Sequence, residues 1–205
     1  MNLAVMARDT LAVPQLFDLY QKLVGAPGCL ERFATEHIRP RAGERLLDIG
    51  CGTGAMVRHL PDTIELVGID VSDAYIRAAQ QRYGDRATFR VADAADRTLD
   101  LGDPFDTAFA AGVLHHIDDA AAVRLVAGAL DRLRPGGRFL SFDPTLVEGQ
   151  GRVSSFIVRA DRGQHVRTPQ RLAELLAEFA PRMEVVHDMM RIPFAQVIMT
   201  IDKRA

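Results

Sequence analysis

From residue 44 onward, short apolar runs alternate with longer stretches whose apolar residues recur every three or four positions. The runs at 44–49, 64–70, 87–92, 106–111 and 138–142 centre on Leu, Ile, Val, Ala and Phe, as strands buried on both faces require. Between them, 54–60, 73–83 and 120–133 have helical spacing. Ser72 stands where the helix at 73–83 needs an N-cap, and Pro135-Gly136-Gly137 stops the helix before the fifth strand. Strands alternating with helices predict right-handed crossovers and a parallel sheet with helices on both faces.

The flanks read differently. Residues 1–12 carry little pattern. From Pro14, the residues Leu16, Leu19, Tyr20, Leu23 and Val24 recur at helical spacing, and Gly25-Ala26-Pro27-Gly28 is expected to break that helix. A second helix is predicted from about Cys29 to Ile38, ended by Pro40 and Gly43. After the fifth strand, 143–168 is rich in Gly, Arg and Ser and has no clean period. A helix is predicted over 169–179, with Thr168 as N-cap and Leu172, Leu175, Leu176 and Phe179 on one face. Strands at 183–190 and 194–201 are joined by Arg191-Ile192-Pro193, a link short enough to require an antiparallel hairpin. Met183, Met189, Met190 and Met199 read as strand core. The expected sheet has seven strands, five parallel and then a hairpin at one edge.

Composition narrows the class. A chain of 205 residues suits one α/β domain with additions, and 48% hydrophobic with 25% charged residues is ordinary for a soluble globular protein. The net charge is −2, so there is no basic field of the kind that drives nucleic-acid binding. No apolar run is long enough to span a bilayer, and the N-terminal residues do not resemble a signal peptide. Cys29 and Cys51 are the only cysteines, so a structural disulfide is not expected and a reducing cytoplasm fits. The same two cysteines and scattered histidines give no metal-ligand spacing.

The chemistry concentrates in Leu46-Leu47-Asp48-Ile49-Gly50-Cys51-Gly52-Thr53-Gly54. A buried strand runs into a loop with glycine at every second position, and glycine lets the backbone turn tightly and approach a ligand. With a helix opening at Ala55, this is a nucleotide-site signature. Gly50 to Ala55 also satisfies the loose dinucleotide fingerprint, and Asp70 closes the second strand where an acid holds ribose hydroxyls. A nicotinamide dinucleotide is therefore one candidate.

Three features favour S-adenosylmethionine. Asp48 would repel a pyrophosphate over the loop, whereas S-adenosylmethionine has no phosphate and carries cationic ammonium and sulfonium groups. Asp93, after the third strand, can accept a hydrogen bond from the exocyclic amine of adenine. With lysines only at Lys22 and Lys203, no Tyr-x-x-x-Lys pair for hydride chemistry exists.

The segments LLDIGCGTG at 46–54, VGIDVS at 67–72, RVADA at 90–94, FDTAFAAGVLHHIDD at 105–119 and LRPGGRFL at 133–140 resemble those of class I S-adenosylmethionine-dependent methyltransferases, in order and spacing. The resemblance covers 44–142, about half the chain. It implies a Rossmann-like seven-stranded mixed sheet of order 3-2-1-4-5-7-6, strand 7 antiparallel, with helices on both faces. It divides a single domain into an N-terminal helical cap at 14–40, a cofactor-binding core at 44–142, an acceptor-site segment at 143–168, and a helix and terminal hairpin at 169–205. It implies that Gly50, Cys51, Gly52 and Gly54 line the methionine portion of the cofactor, with Asp48 beneath its amino group. Asp70 would hold the ribose with Val71 and Ser72 beside the adenine, and Asp93 and Ala94 would meet the ring. Ala111 and Gly112 would pass the sulfonium.

Other residues are less specific. His116, and less so its neighbour His115, can serve as a general base if the acceptor is a hydroxyl. A His-His step of this kind also occurs in the family as a shaped loop beside the cofactor. Tyr20, on the first helix, is a candidate contact to cofactor or substrate. Arg159, Arg162 and Arg167 can clamp a carboxylate or phosphate, or simply belong to a solvated charged loop. The expected activity is methyl transfer to a small-molecule acceptor, with no nucleic-acid or membrane partner and the oligomeric state open. The alternatives are a nicotinamide-dependent oxidoreductase and a non-catalytic protein that binds S-adenosylmethionine.

Overall fold

The computed structural model describes residues 26–147, 149, 165–187, 189 and 195–204. The elements run α1 (Ala26–Arg32), a π-helical turn (Phe33–Ile38), β1 (Arg45–Ile49), a 3-10 turn (Ala55–His59), β2 (Glu65–Asp70), α2 (Asp73–Tyr83), β3 (Thr88–Val91) and β4 (Phe105–Ala111). A 3-10 turn (Leu114–His116), α3 (Asp119–Asp131), β5 (Leu133–Pro144), α4 (Pro169–Leu175), a 3-10 turn (Ala177–Phe179), β6 (Arg182–Val186) and β7 (Gln196–Asp202) follow. The strands form one sheet of order β3-β2-β1-β4-β5-β7-β6, as predicted. β1 to β5 pair in parallel, and β7 is antiparallel to both neighbours, β5 and β6.

Side-chain alternation along β1 builds both layers at once. Leu47 and Ile49 face one layer, where Ala122, Leu125, Val126 and Ala129 of α3 and Leu172 of α4 pack. Leu46 faces the other, with Cys29 of α1, Phe33 and Ile38 of the π-helical turn, and Ile76 and Ala79 of α2. Phe33 is fully buried and its ring meets Phe142 at 5.4 Å and Phe109, edge-on, at 6.3 Å. Fully burying a side chain of this kind contributes about 1.5–3 kcal/mol. The turn ends at Arg39, which takes a left-handed conformation and donates its N–H to Ala34 O at 2.8 Å.

Several boundaries differ from the pattern-based expectation. Ala26-Pro27-Gly28 forms the first turn of α1, ahead of the expected start at Cys29, because proline's missing N–H needs no partner there; the helix expected from Pro14 lies outside the described residues. The helix after the glycine loop is one 3-10 turn, because Leu60 before Pro61 is already extended. α3 ends at Asp131, and β5 starts at Leu133 instead of after the glycines. A register shift between Phe105 and Thr107 takes Pro135-Gly136-Gly137 into the strand as an irregularity, so Leu133 still pairs with Phe105. The hairpin forms, but β6 ends at Val186 and β7 begins at Gln196, so its connection is longer than three residues. Ser72 and Thr168 cap α2 and α4 as expected, accepting from Tyr75 and Arg171 N–H. Met199 and Met189 are buried and Met183 packs against the core, whereas Met190 lies outside the described residues.

Among the described residues, no helix is long and apolar enough to cross a membrane. Replacing Phe33 with Ala removes an aromatic side chain from the layer that carries α1. The expected loss is about 3–5 kcal/mol, read as a lower urea midpoint at unchanged slope.

Candidate active site

β1 stands between β2 and β4, where the chain order reverses, and ligands of open α/β sheets bind beyond the strand ends at such a point. There the glycine loop turns back on β2. Gly50, Gly52 and Gly54 have φ of 69°, 54° and 78°, a region costly for residues with a Cβ. The N–H groups of Gly50 and Cys51 both donate to Ile69 O, at 2.8 and 3.0 Å, and Gly52 N–H donates to Asp70 Oδ2 at 3.0 Å. A Cβ on Gly50 would stand 2.6 Å from Val113 Cγ2, so the loop also fits tightly against the segment after β4. Cys51 packs beneath it, its sulfur 3.0 Å from where a Cβ on Gly68 would lie, and burial raises its thiol pKa.

Two acids end the central strands. Asp48 is 4% exposed, and burial, then the charge of Asp70, pushes its pKa up to about 8. Burial also raises Asp70, against the opposing effect of N–H donors from Ser72 and Gly52. Two carboxylates so placed repel each other. An anionic ligand over the loop would worsen that repulsion, whereas an ammonium group would relieve it. Val71, beside Asp70, is 72% exposed despite its apolar side chain, as a ring-binding position would be. Asp93 is exposed and Oδ1 accepts Ala95 N–H at 2.8 Å, closing an Asx turn with no helix behind it. Ala94 is buried, its carbonyl accepting from Arg132 at 3.2 Å.

After β4, Gly112 has φ of 72° and donates its N–H to Phe142 O at 2.7 Å. His115 is 6% exposed, and both its backbone N–H, at 3.2 Å, and its Nδ1, at 2.8 Å, meet Asp143 Oδ1. Asp143, at the end of β5, is itself buried and its second oxygen has no partner among the described residues. Donation from Nδ1–H to Asp143 leaves Nε2 as the basic nitrogen. The Cε1 edge of this ring lies 3.7 Å from where a Cβ on Gly112 would stand. His116 is exposed, its ring centroid 3.9 Å from that of His115. Sequence reasoning ranked His116 first and overlooked Asp143, although an acid ending a strand is the same signal that flagged Asp70 and Asp93.

Arg167 does not clamp an acceptor. Its guanidinium is buried and already occupied, donating to Leu114 O at 2.7 Å, Ile117 O at 2.8 Å, His165 O at 3.1 Å and Asp119 Oδ1 at 2.8 Å. With His165 N–H donating to His115 O at 3.0 Å, this ties the chain at 165–167 to the loop that carries both histidines. Tyr20, Arg159 and Arg162 lie outside the described residues. Among the described residues, no group of His, Cys, Asp and Glu could hold a metal ion.

The fold and site define an α/β protein whose glycine loop and flanking acids stand at the switch point of its sheet. Residues 46–137 match the family model described as a methyltransferase domain. The chain is 38% identical over 115 residues to 27-O-demethylrifamycin SV methyltransferase of Amycolatopsis mediterranei, covering 52% of this chain and 41% of that protein. It is 34% identical over 114 residues to juvenile hormone acid O-methyltransferase of Bombyx mori, covering 50% of this chain and 41% of that one. The match thus spans about two fifths of each relative's own length. Among solved structures, the [4+2]-cyclase SpnF superposes with a TM-score of 0.68 at 22% identity, covering 87% of this chain and 81% of that one. Mitomycin 7-O-methyltransferase MmcR gives 0.66 at 17% identity, covering 86% and 52%. At these identities the structural likeness is one of fold. Together with the predicted strand order and motifs, these findings support the resemblance to class I S-adenosylmethionine-dependent methyltransferases.

The buried acid has a pH signature. Between the ordinary carboxyl range and about 8, the native protein keeps Asp48 protonated while the unfolded chain does not. The unfolded state therefore binds fewer protons, and stability of the ligand-free protein falls as pH rises through that window, by at most about 1.4 kcal/mol per pH unit. Asp48→Asn should flatten this dependence, measured by urea unfolding at pH 5 to 8.5.

Proposed function

We propose that this chain transfers a methyl group from S-adenosylmethionine to an oxygen of a small molecule. The observation that carries the reading is the pair of acids, Asp48 buried and Asp70 half-buried, around a left-handed glycine loop at the switch point of the sheet. The match of residues 46–137 to a methyltransferase domain supports S-adenosylmethionine as methyl donor. Oxygen as the acceptor atom is supported by the relatives, several of which are named O-methyltransferases.

The proposed contacts follow the geometry. Asp48 meets the cofactor's ammonium group, and the backbone of Gly50, Cys51, Gly52 and Gly54 borders its methionine portion. Asp70 retains lone pairs for ribose hydroxyls while holding Gly52 and Ser72. Val71, Asp93 and Ala94 frame the adenine, and Ala111 and Gly112 border the sulfonium. Bound there, the cofactor supplies an electrophilic methyl group. The protein's share is to hold the acceptor oxygen in line and to remove its proton. His115 takes the base role in this reading. Its buried bond to Asp143 fixes ring and tautomer, and its Cε1 edge borders Gly112. His116 lies beside it, its ring tilted by 41°. In the same reading, 14–40 and 143–168 cover the acceptor in a single domain. The protein works in the cytoplasm on a small molecule, with no nucleic acid or membrane involved, as its near-neutral charge suggests. No observation favours nicotinamide chemistry or a non-catalytic role.

Transfer of labelled methyl from S-adenosylmethionine to hydroxylated metabolite pools tests this reading. His115→Ala should lower kcat by about 10²–10⁴-fold and leave affinity for S-adenosylhomocysteine unchanged, while His116→Ala costs far less. The reverse ranking returns the base role to His116. Full activity in both variants would mean that positioning alone supplies the rate.

A further inference from the structure

The buried amide of Gln196 is not explained by cofactor binding or by the His115–Asp143 pair. Gln196, the first residue of β7, is 1% exposed, and among the described residues neither Oε1 nor Nε2 of its amide has a hydrogen-bond partner. A carboxamide offers two donors and an acceptor, and burying them unpaired is destabilising. Its place in the fold is specific. Gln196 pairs with Pro144 at the end of β5, one pleat beyond the Phe142–Ile198 pair. By strand alternation it shares a face with Phe142 and Ile198, in the layer that also holds Phe33 and Met189. Phe142 in turn pairs with Ala111 of β4. Gln196 therefore stands two strands across and two residues beyond Ala111, roughly 12 Å away by ordinary strand spacings.

We propose that Gln196 is the polar anchor of the acceptor's distal end. The inference rests on the methyl-transfer reading, which puts the reacting oxygen beside Ala111 and Gly112. The acceptor is then a largely apolar molecule long enough to span that gap. At its far end it carries a carbonyl next to a hydroxyl or N–H, which matches an amide's donor and acceptor together. The apolar residues sharing the face of Gln196 suit the body of such a molecule, and the unpaired amide selects its end. Sites that hydrogen-bond a ligand group discriminate strongly against analogues that lack it.

The test uses the full chain and Gln196→Leu. If the amide is held unpaired for a ligand, replacing it with an apolar group of similar size raises the melting temperature of the ligand-free protein, by about 3 °C. Binding of S-adenosylhomocysteine stays unchanged. With labelled S-adenosylmethionine, the probes are 4-hydroxybiphenyl and its 4′-carboxamide, whose oxygen and amide are separated by about the right length. The native protein should prefer the carboxamide by at least about tenfold and the variant should lose that preference. Where neither probe is turned over, the rise in melting temperature that each causes in the S-adenosylhomocysteine complex reads the same preference. A lower melting temperature for Gln196→Leu shows an amide satisfied by the protein or a trapped water, and overturns the proposal. Equal response of both proteins to both probes does so as well. Failure of the native protein to bind S-adenosylhomocysteine instead removes the underlying methyl-transfer reading, and melting alone then judges the buried amide.

Discussion

Asp48 sits near the end of β1 among Leu46, Leu47 and Ile49, all apolar and buried, with the carboxylate of Asp70 close enough to raise its pKa further. The glycine loop depends on the same pair of strand ends. Asp70 takes the N–H of Gly52, and Ile69 takes those of Gly50 and Cys51, so the loop is pinned over the two acids. Val113 closes against Gly50 from the far side and brings the segment after β4 into register with the loop. The loop is therefore built around one electrostatic conflict, between Asp48 and Asp70. Its cost in the empty protein is the kind of local instability that functional sites retain.

The acceptor side is held by a different device. Arg167 reaches the carbonyls of Leu114 and Ile117 and the carboxylate of Asp119, fixing the His115 loop from a point some fifty residues further along the chain. His115 is then set by Asp143 at the end of β5. A loop that would otherwise be free to move is fastened to the sheet at one end and to the following segment at the other. Positioning of this kind is what an in-line displacement requires of a protein.

These two halves were not equally legible in the sequence. The strand order, the glycine loop and the acids Asp48, Asp70 and Asp93 were legible because each belongs to a local pattern: an apolar run, a glycine period, or a charge at a strand end. Ser72 and Thr168 were legible as caps for the same reason. Arg167 was not, because its partners are mostly backbone carbonyls, which carry no signal in residue type. Asp143 was passed over because the unpatterned stretch that begins there hid it as the end of β5. Gln196 reads from sequence as one polar position at the start of a strand, and only burial reveals it as unpaired. The boundary errors have local causes as well. Pro27 suits a first helical turn, so α1 starts at Ala26, and a register shift carries β5 through Pro135-Gly136-Gly137.

The central claim is that the acids around the glycine loop await a cationic, phosphate-free nucleoside. Calorimetric titration of the protein with S-adenosylhomocysteine and, separately, with NAD tests it most directly. The account predicts saturable binding of S-adenosylhomocysteine with proton release, as the ammonium group draws the proton from Asp48, and no binding of NAD. Tight NAD binding without S-adenosylhomocysteine binding would contradict it.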